Sequence, residues 1–214
     1  MLILLGVAVV VVGFAARFNP LLEELSDAAP GAFTLIVGDA LTADEARLVD
    51  GRPTHVVANL PYNVGTPLLI KWLTGPWTPA SMTLMFQKEV AERITSPTNG
   101  DAYGRLAVIA QATSDAKMVM EVPARAFTPP PKVDSAVVRL TPRADRPSPA
   151  RLDALQKITA AAFGQRRKML RGSLASLFPD PVAKLEGLGL SPTARAEELA
   201  VADFVRLAGL LTNE

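Results

Sequence analysis

The chain has 214 residues, of which 49% are hydrophobic, so it is long enough for one medium-sized domain with a small second one and for a sizeable core. Its 22 lysine and arginine residues nearly balance its 21 acidic residues, so any binding of nucleic acid must come from a local basic patch. The absence of cysteine excludes disulfides, thiolate zinc sites and cysteine nucleophiles, and the single histidine argues against a metal site, so we expect no metal.

The first 16 residues carry no charged side chain, a property shared with signal peptides and membrane anchors. No basic residue precedes the apolar run, however, and a membrane helix needs about 20 apolar residues. The valine-rich segment 7–12 has the composition of a buried parallel strand. We therefore expect a soluble protein of the cytoplasm.

Short apolar segments alternate with segments of helical periodicity through the first two thirds of the chain, which predicts a parallel sheet covered by helices on both faces. The predicted strands cover 7–12, 33–37, 54–58, 81–86, 117–121 and 135–140. The predicted helices between them cover 17–28, 66–73, 88–94 and 106–113. His55 falls inside an apolar strand, and we expect it to be packed and hydrogen-bonded.

The segment 141–149 contains three prolines and interleaved charges but no apolar run, which indicates a domain boundary. Beyond it the pattern is wholly helical, with predicted helices over 151–163, 167–177, 182–186 and 202–211. We predict a first domain over 1–143 and a helical domain over 150–214. Arg195, Glu197 and Glu198 are expected to begin the last helical segment and to be structural.

The tetrapeptide Asn59-Leu60-Pro61-Tyr62 directly follows a predicted buried strand and suits chemistry on a planar amine. The exocyclic amine of adenine is a poor nucleophile because its lone pair is delocalised, so acceptors must draw it towards tetrahedral geometry. The Asn59 side chain and the Leu60 carbonyl can accept its hydrogens, Pro61 fixes the turn, and Tyr62 offers a stacking face. An ordinary Asn-x-Pro turn is the structural alternative.

Further motifs accompany this loop in order: Gly38-Asp39-Ala40, the segment 127–138 (FTPPPKVDSAVV), the segment 163–171 (FGQRRKMLR) and the segment 195–199 (RAEEL). Together they resemble the KsgA/RsmA family of small-subunit ribosomal RNA adenine N6-dimethyltransferases, over nearly the whole chain from residue 7 onward. The resemblance implies an α/β fold with a doubly wound, Rossmann-like methyltransferase sheet and a small all-α C-terminal domain that binds ribosomal RNA.

The resemblance also implies S-adenosyl-L-methionine as cofactor, with Asp39 and Ala40 at its adenine and Asn59 at both the cofactor edge and the target amine. Phe127, ahead of three prolines, supplies a second stacking face opposite Tyr62. Each residue has a structural alternative: Asp39 can cap the next turn, and Phe127 can fill a domain edge.

The basic side chains of Arg166, Arg167, Lys168 and Arg171 lie within six residues, and the resemblance implies that they contact ribosomal RNA. A solvated helix face is the alternative for such a cluster. Lys132 and Arg125 extend the basic surface in this interpretation, although Lys132 can equally order its own loop.

The chain departs from the family at its start, where the glycine-rich cofactor loop and the first strand are missing. Gly13, Phe14, Ala15 and Ala16 stand where an acidic residue should hold the ribose hydroxyls, and none can replace it. We expect an exposed apolar sheet edge at 7–12. A truncated product, a misassigned start and an inactive RNA-binding remnant all fit these differences.

Three hypotheses follow. The first is S-adenosylmethionine-dependent N6,N6-dimethylation of adenosines in small-subunit (16S-type) ribosomal RNA during ribosome biogenesis, by a monomer acting on immature small subunits. The second is a ribosome-assembly factor that binds the RNA through the helical domain and has lost cofactor binding. A DNA adenine methyltransferase is the third, but it leaves the later motifs unexplained.

Overall fold

A computed structural model describes residues 2–5, 8–13, 19–29, 31–165 and 168–212. Within these ranges the strands form one seven-stranded sheet of order β3-β2-β1-β4-β5-β7-β6. In chain order the strands are β1 (Leu2–Leu5), β2 (Ala8–Gly13), β3 (Phe33–Val37), β4 (His55–Asn59), β5 (Ser81–Gln87), β6 (Ser114–Val122) and β7 (Ser135–Pro142).

Helices connect most of the strands and make up the C-terminal part of the chain. In the described residues they are α1 (Asn19–Ala28), α2 (Glu45–Val49), α3 (Gly65–Thr74), α4 (Lys88–Thr95), α5 (Arg105–Thr113), α6 (Pro149–Phe163), α7 (Leu170–Ser173), α8 (Pro181–Gly187) and α9 (Val201–Thr212). None of the described helices is long and apolar enough to cross a membrane.

The sheet is mixed. β2 runs parallel to β3, and β4 runs parallel to β5, while β7 is antiparallel to β5. β1 is antiparallel to both β2 and β4, which leaves β2, β3, β4 and β5 pointing the same way. Their carboxyl ends therefore share one edge of the sheet, as the alternating pattern of the sequence predicted.

The sheet has no gap in its centre, which corrects the expectation of a missing strand. Leu2–Leu5 forms a strand between β2 and β4, with Leu4 opposite Val9 on one side and opposite His55 on the other. β2 is consequently paired on both sides, so the expected exposed edge at 7–12 is not found in the described part of that segment, 8–12. The strand that fills this position runs against its neighbours.

The chain forms two compact units. The first comprises 1–91 and 117–142, and the second comprises 92–116 and 143–214. Residues 92–116 thus group with the C-terminal helices, whereas the sequence-based division placed them in the first domain; that division stays a prediction.

The first unit buries the apolar faces of β4, β5, β7 and α3. Val56, Leu84 and Val138 are fully buried in the strands, and Leu69 and Trp72 are buried in α3. Their burial explains why these apolar runs form central strands and a covering helix.

The second unit has its own core, built from α5, α6, α9 and the shorter helices. Phe163 stacks on Phe204 at 5.5 Å between ring centroids and meets the edge of Tyr103 at 6.0 Å. The hydroxyl of Tyr103 donates to the carbonyl oxygen of Leu199 at 2.9 Å. Helices build this continuous apolar core, as the helical periodicity of the sequence predicts.

Candidate active site

The Asn59-Leu60-Pro61-Tyr62 loop leaves the carboxyl end of β4 and leads into α3. Asn59 is the last residue of β4, lies opposite Met85 of β5 and is exposed. Leu60 is 2% exposed, and its N–H donates to the carbonyl oxygen of Met85 at 3.4 Å. The loop is therefore anchored by one buried apolar side chain while Asn59 stays accessible to a ligand.

Pro61 closes this loop. Its carbonyl oxygen accepts hydrogen bonds from the N–H groups of Val64 and Gly65, at 3.1 and 3.0 Å. Gly65 approaches its neighbours closely, because a Cβ there would lie 3.3 Å from Cβ of Leu60 and 3.2 Å from Cε1 of Phe86. The start of α3 thus packs directly beneath the loop that carries Asn59.

Tyr62 is 46% exposed, yet its hydroxyl is held. The Tyr62 hydroxyl oxygen lies 3.2 Å from Oγ of Ser135, which is 1% exposed at the start of β7. One face or edge of the ring is therefore available at the surface while its far end is tied to the sheet.

Phe127 is half-buried and follows a 3₁₀ turn over Ala124–Ala126. Its N–H donates to the carbonyl oxygen of Ala124 at 3.1 Å, and the N–H of Ala124 donates to Oδ1 of Asp134 at 2.8 Å. The loop carrying Phe127 is thus fastened to the residue before Ser135.

Asp39 follows β3 and is exposed, with Oδ1 accepting from the N–H of Leu41 at 2.9 Å. Its carbonyl oxygen accepts from both the N–H and the hydroxyl of Thr42, each at 3.1 Å. Asp39 therefore caps its turn, as the structural alternative holds, while its carboxylate remains at the surface. Next to it, the Ala40 carbonyl oxygen accepts from Nζ of Lys71 at 3.0 Å.

Asp39 and Asn59 lie at the same edge but are not neighbours. β3 is three strand positions away from β4 in the sheet order, a lateral separation of about 14 Å. A ligand that touches both must be elongated and must cross the ends of the intervening strands. Gly13 ends β2 at this edge, whereas Phe14, Ala15 and Ala16 lie outside the described residues.

Lys71 and Glu45, which hold the Asp39 loop, were not among the predicted site residues. Lys71 of α3 is ion-paired with Glu45 of α2 at 2.7 Å, and Nε1 of Trp72 donates to the same Glu45 oxygen at 2.8 Å. Lys71 also donates to the carbonyl oxygen of Ala43 at 2.5 Å. These residues border a cavity of 280 Å³. A separation of 26 residues between the charged partners gives no sequence signal.

Among the predicted RNA-contacting residues, Lys168, Arg171 and Lys132 are exposed, as is Arg125. Arg166 and Arg167 lie outside the described residues. The predicted helix over 167–177 is wrong in extent, since α7 covers only Leu170–Ser173. Leu170, Leu174 and Phe178 are all buried in the core of the second unit.

Two further predictions, for His55 and for the segment 195–198, differ in part from the structure. His55 is hydrogen-bonded as expected, with Nδ1 2.7 Å from Oγ of Ser81, but it is exposed and not packed in the core. Ala196–Glu198 forms a separate 3₁₀ turn that ends before α9, so the segment does not begin the last helix.

A mixed sheet whose parallel strands lead into Asp39 and into an Asn-Leu-Pro-Tyr loop, with helices between the strands, defines a Rossmann-like methyltransferase. The ribosomal RNA adenine dimethylase family matches the sequence over residues 8–213. The chain belongs to this family and is a ribosomal RNA adenine methyltransferase.

Individual relatives agree with this assignment. "Ribosomal RNA small subunit methyltransferase A" of Phenylobacterium zucineum is 70% identical over 203 residues, which cover 95% of this chain and 70% of that relative. The protein of the same description in Caulobacter vibrioides is 56% identical over 203 residues, 95% of this chain and 78% of its own length. A crystal structure of a dimethyladenosine transferase from Plasmodium falciparum shares the fold, with a TM-score of 0.77 at 23% identity over 92% of this chain and 79% of that chain.

Proposed function

We propose that this chain transfers methyl groups from S-adenosyl-L-methionine to the N6 atoms of adenosines in small-subunit ribosomal RNA, forming N6,N6-dimethyladenosine during ribosome biogenesis. The observation that carries the proposal is the Asn59 loop. Three features lie together at the carboxyl edge of the parallel strands, where ligands bind in such sheets. They are the exposed amide of Asn59, the buried side chain of Leu60 and the half-exposed ring of Tyr62, whose hydroxyl is hydrogen-bonded to Ser135.

Asn59 and Leu60 activate the amine in this proposal. The Asn59 side-chain oxygen and the Leu60 carbonyl oxygen accept the two amine hydrogens, so that the nitrogen lone pair leaves the plane of the ring and points at the methyl donor. Pro61 has no N–H to compete for these acceptors, and its carbonyl oxygen is engaged by α3. Positioning, and not a strong general base, supplies the rate.

Tyr62 and Phe127 hold the flipped base. Base–aromatic stacking is worth about 1 to 3 kcal/mol per base, which offsets much of the cost of unstacking the adenine from the RNA. The exposure of Tyr62 and the partial exposure of Phe127 leave ring surface for such contacts.

The described residues fit the two ends of an elongated cofactor. The exposed Asp39 carboxylate can accept an amino group at one end, beside Ala40, and Asn59 stands at the other, at the end of a strand about 14 Å from β3 across the sheet. When bound, S-adenosylmethionine supplies a methyl group already activated on a sulfonium. Asp39 and Ala40 orient its adenine, and Asn59 aligns the acceptor nitrogen with the reacting methyl.

RNA contact is assigned to exposed cations, each of which releases counterions when it neutralises a phosphate. Lys168 and Arg171 carry this role in the second unit, together with Arg166 and Arg167, and Lys132 carries it in the first. The partner is an immature small ribosomal subunit, and the protein acts as a monomer in the cytoplasm.

The test is transfer of labelled methyl from S-adenosylmethionine to under-methylated small subunits, by the wild-type chain and by Asn59→Ala. Asn59→Ala should abolish transfer and leave subunit affinity nearly unchanged. Asn63→Ala is the matched control, because Asn63 is an exposed asparagine of the same loop outside the proposed amine pocket. Equal loss of transfer and affinity in Asn59→Ala would contradict its assigned role.

A binding-only assembly factor predicts a different result. A folded wild-type chain that binds subunits in a salt-sensitive manner, but neither binds S-adenosylmethionine nor transfers methyl, would favour that alternative.

A further inference from the structure

Two consecutive residues, Asp134 and Ser135, contact the two segments that carry the proposed stacking rings. Ser135 Oγ lies 3.2 Å from the Tyr62 hydroxyl, and Asp134 Oδ1 accepts from the N–H of Ala124, three residues before Phe127. Tyr62 and Phe127 are 65 residues apart in the sequence. One dipeptide therefore connects both loops.

Ser135 is a rigid anchor for Tyr62. It is 1% exposed, begins β7 and lies opposite Gln87 in the antiparallel pairing with β5. A serine in this setting has little freedom, whereas a half-exposed tyrosine ring has several rotamers open to it. The hydrogen bond between the two hydroxyls therefore restricts the ring and not the strand.

Asp134 anchors the Phe127 loop in the same way. Its carbonyl oxygen accepts from the N–H of Lys88 at 2.9 Å, which fixes Asp134 against the end of β5. Its carboxylate receives the Ala124 N–H at 2.8 Å, and the Ala124 carbonyl oxygen receives the N–H of Phe127 at 3.1 Å. Three hydrogen bonds thus run from the sheet to the backbone of Phe127.

We propose that Asp134 and Ser135 are positioning residues that hold Tyr62 and Phe127 at the spacing required to clamp the target adenine. This inference rests on the proposed function. Neither residue touches the base; they act through the two rings. Because catalysis depends on how accurately the reacting groups are placed, loosening either ring should lower the rate of methyl transfer.

The Ser135 part is tested with a double-mutant cycle of Ser135→Ala and Tyr62→Phe, which removes the two hydroxyls separately and together. The readouts are kcat and KM for methyl transfer, and the fluorescence of RNA with 2-aminopurine at the target position. Each single variant should lower kcat about three- to tenfold, the range expected for one hydrogen bond, with KM for the RNA within about twofold.

The double variant should be no slower than either single variant, because all three lack the same bond. Its 2-aminopurine signal should also match theirs. Additive losses in kcat would overturn the role of Ser135, since a residue that only packs in the sheet has no reason to depend on the Tyr62 hydroxyl.

The Asp134 part is tested with Asp134→Ala and the matched variant Asp134→Asn, which keeps an oxygen acceptor for the Ala124 N–H. Amide hydrogen exchange at 124–127 should accelerate in Asp134→Ala by about tenfold and stay near wild type in Asp134→Asn. Methyl transfer should follow the same order. Unchanged exchange in Asp134→Ala would overturn this role.

These outcomes separate the two proposals. A wild-type chain that gives no methyl transfer and no 2-aminopurine response refutes the proposed function and, with it, the clamp. Exchange at 124–127 still decides whether Asp134 orders the Phe127 loop, because that measurement needs neither RNA nor cofactor.

Discussion

Oε1 of Glu45 lies 2.7 Å from Nζ of Lys71, and the same oxygen receives Nε1 of Trp72 at 2.8 Å. The Glu45 side chain is 6% exposed and the Lys71 side chain 27%. Since Lys71 also donates to the carbonyl oxygens of Ala40 and Ala43, one ammonium group ties the segment after Asp39 to α3. The proposed cofactor loop and the helix behind the Asn59 loop are thereby connected.

Lys71→Met should lower the free energy of unfolding by about 3 kcal/mol, at the lower end of the range for breaking a buried ion pair because Lys71 is partly exposed. The loss arises mainly from leaving the Glu45 carboxylate buried without a cation. Urea unfolding measures it as a lower midpoint at an unchanged slope.

The control is Lys71→Met combined with Glu45→Gln, which removes the buried charge and keeps an oxygen for Trp72. The double variant should regain much of the lost stability, since the uncompensated charge is gone. If it is no more stable than Lys71→Met, the carboxylate charge does not account for the loss.

Gly65→Ala should lower the rate of methyl transfer clearly while changing the free energy of unfolding only slightly. The added Cβ lies 3.2 to 3.3 Å from Phe86 and Leu60, so one of them must shift by a few tenths of an ångström. Overpacking of about 1 to 3 kcal/mol is partly offset by the better helix propensity of alanine, about 1 kcal/mol. A shift of Leu60 moves the carbonyl assigned to the amine. Steady-state kinetics and urea unfolding, measured side by side, check the prediction.

Gly187→Ala is the control for Gly65→Ala. Gly187 ends α8, and a Cβ there meets no atom within 4 Å. This variant should be at least as stable as wild type, because alanine favours the helix and meets no clash, and it should be as active. Full activity in Gly65→Ala would mean that Leu60 tolerates displacement, which argues against a precisely placed carbonyl.

Much of the fold could be predicted because apolar runs bounded by polar turns are reliable signs of buried strands. The strand over 33–37 is found as predicted, the strand predicted at 54–58 is shifted by one residue, and the strand predicted at 81–86 extends one residue further. β1 was missed because residues 1–12 form one apolar run interrupted only by Gly6, and such a run does not show where one strand ends and the next begins. α2 was missed because five residues hold barely one turn, although Asp44 caps it by accepting from Arg47.

The site was only partly visible in the sequence. Tyr62 and Phe127 stood out as aromatics in unusual contexts, but their supports at Asp134 and Ser135 became apparent only from three-dimensional contacts. Likewise, the alternation of strands and helices predicted that Asp39 and Asn59 share an edge of the sheet. The lateral separation of about 14 Å between β3 and β4, by contrast, depends on the strand order. Local patterns predict which residues end strands, and topology decides which of them meet.

Lys168→Ala combined with Arg171→Ala should weaken binding to small subunits and make it less sensitive to salt. If each cation neutralises one phosphate, the slope of log K against log salt should become shallower by about two. Filter binding over a series of potassium chloride concentrations measures the slope. Lys184→Ala is the control, an exposed lysine of α8 in the same unit that is not assigned to RNA. An identical slope in the double variant and this control would refute the assignment.

Ionisation of the Tyr103 hydroxyl should make the second unit less stable at alkaline pH. Burial raises the pKa of the Tyr103 hydroxyl, the nearby Asp203 carboxylate raises it further, and a hydrogen bond with Thr98 lowers it. The protonated hydroxyl donates to Leu199, so its contribution is fully present below the ordinary tyrosine pKa of about 10. That contribution is lost as the pH rises through the higher pKa of the folded state, because the unfolded chain ionises first.

Tyr62→Phe leaves Tyr103 as the only tyrosine of the chain, so tyrosinate absorbance in this variant reports Tyr103 alone. Its titration midpoint should lie above that of the same chain in urea. Unfolding free energies measured from pH 8 to pH 11 should fall more steeply in Tyr62→Phe than in Tyr62→Phe with Tyr103→Phe, which has no hydroxyl to ionise. At neutral pH the second substitution should cost about 1 kcal/mol, the worth of one hydrogen bond. Parallel pH profiles in the two variants would show that ionisation of Tyr103 is not linked to folding.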